Sequence, residues 1–296
     1  MRRRFVTLDV FTTRRFAGNP LAVVLEPDGL DTAAMQTIAR EFNLSETVFV
    51  FPPADSANRA RLRIFTPARE LPFAGHPTVG TAVLLGRIDG GERTFTLEEQ
   101  VGLVPCRVQS SGPDSGRASF DIPRLPSQTE GGADAAAIAS ALGLSPADIG
   151  FDGLVAQRWS AGNPFTIVPV STIEAVGRCR PDFARFEAAF GGGVAAPFIV
   201  CRQTSEAGHD FHTRMFSPGA GISEDPATGS AAAAFSGYLA ANLKYADGEH
   251  LVRIEQGYEM GRPSLMELTL KLSGGKLTGA AIAGGAVVVM EGTIEA

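Results

Sequence analysis

The residues that could carry acid–base chemistry in this chain lie at matching places in a segment that occurs twice. His76 in the first copy is replaced by Asp225 in the second, and Thr81 by Ser230. An imidazole and a carboxylate at equivalent positions, each before a proline, could transfer a proton or polarise a substrate. A structural hydrogen-bonding role for the histidine is the alternative. The two copies, about 150 residues apart, are Phe65-Thr66-Pro67 with Gly75-His76-Pro77-Thr78-Val79-Gly80-Thr81-Ala82, and Phe216-Ser217-Pro218 with Glu224-Asp225-Pro226-Ala227-Thr228-Gly229-Ser230-Ala231.

Glu46 is the sharpest candidate for a general acid or base. It lies between the end of a predicted helix and a strongly apolar predicted strand, residues 47–51. A carboxyl group beside such an apolar wall is partly desolvated, which raises its pKa towards neutrality. A group that takes and returns one proton needs such a pKa. A solvated glutamate at the start of a strand is the alternative interpretation.

Two predicted helix amino ends could hold an anionic substrate. The small residues 78–82 and 227–231 each follow a proline and open an apolar helix. A first helical turn presents unpaired N–H groups and a partial positive charge, which suits a carboxylate. Glycines allow close approach to the backbone, and hydroxyl groups can donate hydrogen bonds. Ordinary capping and tight helix packing are the alternative. The predicted substrate-binding residues of the two turns are Thr78, Gly80, Thr81, Thr228, Gly229 and Ser230.

Other chemistries fail on spacing. Ser230 with His76 and Asp225 has the composition of a hydrolase triad, but the G-x-S-x-G elbow is missing and Ser230 falls in a helix turn. His209 and His212 fall on opposite faces of a predicted strand, which disfavours a metal site. No dinucleotide or phosphate-loop motif stands where a strand meets a helix. The sequence therefore predicts no metal and no cofactor.

The elements that must position these residues follow the repeat. Asp31 is predicted to cap a helix over residues 32–42, and a second, apolar and therefore buried helix is predicted over residues 78–86. The tripeptide Gly-Asn-Pro also occurs twice, at 18–20 and 162–164. Strands are predicted over residues 5–10, 21–25, 47–51, 60–65, 94–97 and 101–108.

Two domains of roughly 140 residues each suit a chain of 296 residues. The composition changes to Pro, Ser, Gly and Ala between Pro123 and Pro146, where a helical stretch is predicted over residues 133–142. We predict an amino-terminal domain of residues 1–124 and a carboxy-terminal domain of residues 125–284. The terminal segment 285–296 is predicted to be a strand that returns to complete the first domain.

Composition and charge limit the partners. A formal net charge of -6 argues against nucleic acid as the main partner, because phosphate binding needs clustered Lys and Arg. No apolar run approaches the roughly 20 residues of a membrane helix. Three cysteines without C-x-x-C spacing indicate structural thiols in a reducing compartment. We expect a cytoplasmic protein with neither a nucleic-acid nor a membrane partner.

These motifs together resemble the PhzF family, the phenazine-biosynthesis isomerase group, which shares the two-domain fold of diaminopimelate epimerase. The matching stretches span nearly the whole chain in the expected order. They are Phe16-Ala17-Gly18-Asn19-Pro20, Leu44-Ser45-Glu46-Thr47, Phe65-Thr66-Pro67, Glu70-Leu71-Pro72-Phe73-Ala74-Gly75-His76-Pro77-Thr78, Ala161-Gly162-Asn163-Pro164, Glu224-Asp225-Pro226-Ala227-Thr228-Gly229-Ser230, Glu255-Gln256-Gly257 and Gly261-Arg262-Pro263.

The resemblance implies an α+β fold of two pseudo-symmetric domains. Each domain would be a curled β-sheet or barrel around a central helix, with the active site in the cleft between the domains. The resemblance also implies a homodimer, Glu46 as general acid and base, and backbone contacts from Gly75. His76, Asp225 and Ser230 would bind and polarise the substrate. Related epimerases carry thiols where this chain has His76 and Asp225, so two-cysteine racemisation is not available here.

The function predicted from residues and resemblance together is a cofactor-independent isomerase. It would move a proton on a small carboxylated metabolite by general acid–base catalysis. A non-catalytic small-molecule-binding or adaptor protein on the same fold is the alternative from another class. The residues select neither a particular substrate nor a pathway.

Overall fold

The chain folds into two units, each built from separate stretches of sequence. The computed structural model describes residues 1–131, 134–191 and 196–296. One unit, called unit 1 here, contains Met1–Pro123, Arg262–Leu265 and Ile282–Ala296, and the other, unit 2, contains Arg124–Gly261 and Met266–Ala281. None of the described helices combines the length and the hydropathy needed to span a bilayer.

Eight strands of unit 1 form a closed ring. β1 pairs with β2 and β17, β2 runs parallel to β3, and β3 pairs with β4. β4 runs parallel to β6, which leads through β7 and β8 back to β17. The eight strands of the ring are β1 (Arg2–Val10), β2 (Asn19–Leu25), β3 (Glu46–Phe51), β4 (Ala60–Phe65), β6 (Arg93–Glu99), β7 (Gly102–Ser110), β8 (Ser115–Asp121) and the long final strand β17 (Lys276–Glu295). The two-residue strand β5 (Glu70–Leu71) pairs with β4 and is not part of the ring.

Helix α1 (Thr32–Phe42) forms where the sequence predicts it. Oδ1 of Asp31 accepts a hydrogen bond from the Ala34 amide at 2.8 Å, which caps the amino end. Asn43 ends the helix in the left-handed conformation, with φ of 50°. Met35 and Ala39 are buried in a cluster that includes Phe49 and Phe65. Capping and one apolar stripe therefore account for both its limits and its packing.

Helix α2 (Gly75–Asp89) is the central helix of unit 1. All of its residues from Gly75 to Gly86 are buried. The predicted start at residue 78 is wrong by three residues, because Pro77 lies inside the first turn. Proline is tolerated there, since the first turn needs no N–H donor. His76 is consequently part of the helix and does not stand at a loop tip.

Unit 2 surrounds helix α6 (Gly229–Asn242) in a similar way. The Phe235 ring of α6 packs edge-on against Phe198 and Phe211. The predicted helix from residue 133 is observed as α3, and Ala133 itself lies outside the described residues. The other elements are α3 (Ala135–Leu142), α4 (Ile173–Arg178), α5 (Phe186–Phe190), β9 (Ser127–Gln128), β10 (Gln157–Ser160), β11 (Pro164–Pro169), β12 (Ala196–Cys201), β13 (Phe211–Ser217), β14 (Ile222–Asp225), β15 (Gly248–Gln256), β16 (Ser264–Ser273) and short 3₁₀ turns at Pro146–Asp148, Phe183–Arg185 and Pro218–Ala220.

The two units repeat one strand arrangement. β4 runs parallel to β6 with Ala60 opposite Leu97, and β13 runs parallel to β15 with Phe211 opposite Ile254. The central helix follows the first strand of each pair and precedes the second. The predicted α+β fold with a repeated sheet-and-helix unit is confirmed.

Gly80 provides a test of packing in unit 1. A Cβ atom at this position would lie 2.6 Å from Leu21 Cδ2 and 2.7 Å from Val10 Cγ2. We expect Gly80→Ala to lower the free energy of unfolding by about 1–3 kcal/mol through overpacking. Gly177→Ala in α4 is the matched control, since no described atom lies within 4 Å of its added methyl group. Urea denaturation measures the free energy of unfolding of both variants, and equal values would contradict this packing.

Candidate active site

Glu46 and His76 come together in unit 1. Glu46 is the first residue of β3, opposite Leu21 in the parallel pairing with β2, and His76 is the second residue of α2. Nε2 of His76 lies 3.3 Å from Oε2 of Glu46. The two side chains are only 4% and 11% exposed. The structure therefore places the predicted general acid–base residue next to an imidazole in a largely dry environment.

Burial keeps the His76 imidazole neutral. It lowers the pKa of His76 to about 3, against the opposite effect of a hydrogen bond with the Pro20 backbone. Nδ2 of Asn19 lies 3.3 Å from Nδ1 of the same ring. A neutral imidazole can donate or accept a hydrogen bond at the nitrogen that faces Glu46. It can therefore accompany the Glu46 carboxyl group in either of its protonation states.

Arg262 fixes the segment that carries Asn19. Its Nη2 donates to Asp9 Oδ1 at 2.5 Å and to the Ala17 carbonyl at 2.8 Å, and its Nε donates to the Gly18 carbonyl at 2.7 Å. No site role was predicted from the sequence for Asn19, Asp9 or Arg262. The two Gly-Asn-Pro copies and the Gly261-Arg262-Pro263 stretch were the available signals for them.

The other predicted residues of α2 are engaged within unit 1. The Thr78 hydroxyl lies 2.8 Å from the Ala74 carbonyl and 2.7 Å from Glu99 Oε1. Gly80 faces the side chains of β1 and β2, so tight packing accounts for this glycine without a ligand. Thr81 is fully buried, and its hydroxyl has no hydrogen-bond partner among the described residues. Gly75 opens the helix and is buried.

Asp225 lies in a polar cluster of unit 2. It ends β14, whereas its counterpart His76 lies inside a helix, so the repeat is not matched at this point. Asp225 Oδ2 accepts a hydrogen bond from the Thr228 hydroxyl at 2.6 Å. Nε2 of Gln256 donates to the Asp225 carbonyl at 2.6 Å, and its Oε1 accepts from the Thr228 amide at 3.2 Å. Gln256 was not among the predicted site residues.

The start of α6 carries the remaining predicted residues. Thr228 is the residue before the helix, Gly229 is its first residue and is buried, and Ser230 is its second and is partly exposed. The predicted first turn at residues 227–231 therefore starts two residues too early.

A charged network supports the same unit. Nε and Nη2 of Arg214 bind the Glu224 carboxylate at 2.7 and 2.9 Å, which anchors the strand that ends at Asp225. Nδ1 of His209 and Nδ1 of His212 each lie 2.6 Å from Glu255, so the expectation that these histidines face apart is wrong. His209 precedes β13, so its side chain need not follow the alternation of side chains between the two faces of a strand.

His212 and its carboxylate partners form ion pairs. The Glu255 and Glu259 carboxylates raise the pKa of His212 to about 9, against the opposing effect of burial. Within the described ranges, no group of three or more His, Cys, Asp or Glu residues is arranged to hold a metal ion. The three cysteines are buried and free.

Known proteins were compared with this chain and its fold. A family model described as phenazine biosynthesis-like protein, PhzC-PhzF, matches residues 8–292. An isomerase of Mesorhizobium japonicum is 49% identical over 302 residues, which cover 99% of this chain and 98% of the relative. Trans-2,3-dihydro-3-hydroxyanthranilate isomerase of Pseudomonas fluorescens is 37% identical over 290 residues, or 98% of each chain. The crystal structure of a Bacillus anthracis phenazine biosynthesis protein of the PhzF family has a TM-score of 0.89 at 28% identity, covering 100% of both chains.

These similarities define the class of this protein: it is an isomerase of mixed α+β fold. The chain belongs to the phenazine biosynthesis-like PhzC-PhzF family. The resemblance to PhzF-type isomerases in the sequence is thereby confirmed.

Proposed function

We propose that this isomerase moves a proton within a small carboxylated substrate, with Glu46 as general acid and base and without a cofactor. The observation that carries the proposal is the distance of 3.3 Å between Glu46 Oε2 and Nε2 of the buried His76. A carboxyl group so little exposed and next to a neutral imidazole is suited to general acid–base catalysis.

In the proposed reaction the Glu46 carboxylate removes a proton from a carbon atom of the substrate. The electron pair of the broken C–H bond shifts into the adjacent unsaturated system. Glu46 then returns the proton to a different atom, so the double bond has moved and no electron has left the substrate. The reaction is therefore balanced without an oxidant, a reductant or a metal. The neutral His76 would hydrogen-bond to the carboxyl group or to the substrate in both states of Glu46.

We assign substrate binding to the polar groups at the two helix amino ends. Each helix amino end is proposed to bind an anionic group through backbone N–H and hydroxyl groups: Gly75 at the start of α2, and Gly229 and Ser230 at the start of α6. Asp225 is proposed to polarise the substrate. Its carboxylate already accepts a hydrogen bond from Thr228, which fixes its orientation.

Turnover of defined compounds tests the proposal. Trans-2,3-dihydro-3-hydroxyanthranilate, the compound in the name of the relative from Pseudomonas fluorescens, belongs in a panel of small unsaturated carboxylates followed by NMR. Formation of a double-bond isomer by the native protein would support the proposed function. Saturable binding of several panel members with no isomer formed would instead support a non-catalytic binding protein on the same fold.

We also propose that the protein is a homodimer, on the family resemblance. Sedimentation equilibrium at micromolar concentration distinguishes the states. A mass near twice the 31.0 kDa of the chain would support the dimer, and a mass of one chain would contradict it.

A further inference from the structure

Glu99 is a buried carboxyl group that the proposed reaction does not use. It ends β6 and is 8% exposed. Its Oε1 lies 2.7 Å from the hydroxyl oxygen of Thr78, in the first turn of α2. The same hydroxyl oxygen lies 2.8 Å from the carbonyl oxygen of Ala74, the residue that precedes the helix. The three groups form a line that ends where α2 begins.

The number of protons available for hydrogen bonds among these three groups depends on whether Glu99 is protonated. The Thr78 hydroxyl has one proton and can donate one hydrogen bond. The Ala74 carbonyl can only accept, so this contact uses the Thr78 proton. The contact between Thr78 and Glu99 then needs a second proton, which the carboxyl group must provide. An ionised Glu99 would leave one of the two short oxygen–oxygen contacts without a hydrogen atom.

Burial also favours the neutral acid. Oε2 of Glu99 has no hydrogen-bond partner among the described residues. An unpaired carbonyl oxygen is much less costly to bury than an unpaired carboxylate oxygen. Burial raises the pKa of Glu99 to about 8 from its ordinary 4.5, against the opposite effect of the bond with Thr78. At pH 7 the group is therefore mostly protonated.

Unit 2 contains a neutral side chain at the equivalent position. Leu97 and Ile254 occupy the same place in the two parallel strand pairs, so Glu99 and Gln256 correspond, each two residues further on. Nε2 of Gln256 lies 3.1 Å from the hydroxyl oxygen of Thr228, next to the start of α6. A permanently neutral N–H donor thus contacts a threonine hydroxyl in one unit, where the other unit has Glu99.

We propose that Glu99 works as a neutral hydrogen-bond donor to Thr78 and is a positioning residue for the first turn of α2, which carries Gly75 and His76. The importance of this turn for catalysis rests on the proposed function, whereas the hydrogen bond itself does not. If Glu99 loses its proton, the Thr78 hydroxyl must turn to the carboxylate. The Ala74 carbonyl then loses the shorter of its two bonds and keeps the one from the Thr78 amide at 3.3 Å, so the start of α2 loosens.

Charged and titratable groups approach Glu99 from β4, β6 and β7. Arg61 and Arg63 of β4 line a cavity of about 410 Å³ together with Leu62, Glu98, Glu99 and Gln100. Arg63 is paired with Glu70 at 2.6 Å, and Glu98 accepts hydrogen bonds from the amides of residues 54 and 55. On β7, burial raises the pKa of the Cys106 thiol, and an ionised Glu99 would raise it further.

Stability against pH gives the first test. The folded-state pKa of Glu99 lies above the unfolded value, so its ionisation favours unfolding progressively as the pH rises from about 4.5 to about 8. Glu99→Gln keeps a neutral hydrogen-bond donor and should not show this pH-dependent loss of stability. We expect the Tm of the native protein to fall by about 5 °C more than that of Glu99→Gln over this interval. Glu92→Gln, at an exposed carboxyl group just before β6, is the control and should follow the native curve.

Hydrogen exchange of the amides of residues 75, 76, 78 and 79, corrected for the intrinsic rate, gives the second test. We expect about tenfold faster exchange in the native protein than in Glu99→Gln at pH 9, and equal rates at pH 6. In Glu99→Leu, whose side chain cannot donate a hydrogen bond, these amides should exchange rapidly at both pH 6 and pH 9. If this variant does not fold, the comparison of the native protein with Glu99→Gln still tests the inference. The inference would be overturned if Tm and the exchange rates depended on pH in the same way in the native protein and in Glu99→Gln. A carbon-13 NMR titration in which the Glu99 carboxyl group ionises below pH 6 would also overturn it. These readouts need no substrate, so an inactive native protein would reject only the proposed function.

Discussion

Glu46→Gln should reduce isomerisation by at least about 10³-fold while leaving ligand binding nearly unchanged. The amide has the shape of the carboxyl group but cannot take up and return a proton. General acid–base catalysis contributes about 10² to 10⁴ in rate, and a residue that performs both transfers should lie at the upper end. A loss of 10³-fold corresponds to about 4 kcal/mol of transition-state stabilisation. The measurement is kcat on any panel compound that the native protein turns over, with Kd by calorimetry.

Glu41→Gln is the matched control for this experiment. Glu41 is an exposed carboxyl group five positions earlier in the chain, near the end of α1. We expect native kcat in this variant. Near-native turnover by Glu46→Gln would remove Glu46 from the mechanism. A parallel loss of binding and turnover would make it a binding residue only.

His76→Asn should lower kcat/KM by about 10²-fold at all pH values from 6 to 8. Burial lowers the pKa of His76 to about 3, so its neutral form is present throughout this range. Removing the ring therefore takes away a neutral hydrogen-bonding group and no positive charge. The pH profile of kcat/KM measures this directly, because the loss should be the same at both ends of the range.

The partly buried His250 serves as the control for His76; it hydrogen-bonds the Ala246 carbonyl at 2.8 Å and packs against the Tyr245 ring. His250→Asn should retain native kcat/KM. If the effect of His76→Asn were large at pH 6 and absent at pH 8, the active form would be the imidazolium. That outcome would contradict the neutral pair described here.

Local sequence signals predicted the regular elements well. The cap at Asp31 and the apolar stripe define α1, and the strand predicted over residues 60–65 is observed with the same limits. The final strand was predicted over only half of its length. It starts at Lys276 and passes through Gly284, where an added Cβ atom would lie within 2.3 Å of the Phe11 ring. Glycine is required there by a distant contact, which hides the strand from a local pattern.

The start of α2 shows a different limit. A proline was expected to precede the helix, and Pro77 instead lies within its first turn. This shift places His76 in a helix while Asp225 remains in a strand. The duplicated motif thus suggested a local equivalence of these two residues that the backbone does not have.

The groups that support the candidate site are separated in sequence. Arg262 reaches Asp9 across 253 positions, and Asn19 reaches His76 across 57. The partnership of Glu99 with Thr78 spans 21 positions and depends on the parallel pairing of β4 and β6. No local pattern contains such contacts, so the sequence could suggest Glu46 and His76 as candidates but not the residues that hold them in place.

Deuterium incorporation tests the central claim most directly. The native protein and Glu46→Gln are incubated in deuterated water with a panel compound that binds both, and the recovered compound is analysed by mass spectrometry. Because the proton held by Glu46 can exchange with solvent before its return, we expect uptake of solvent deuterium at the position that receives the proton in the native reaction, and no uptake above the uncatalysed level with Glu46→Gln. Equal uptake with both proteins would contradict the assignment of Glu46 as the group that carries the proton.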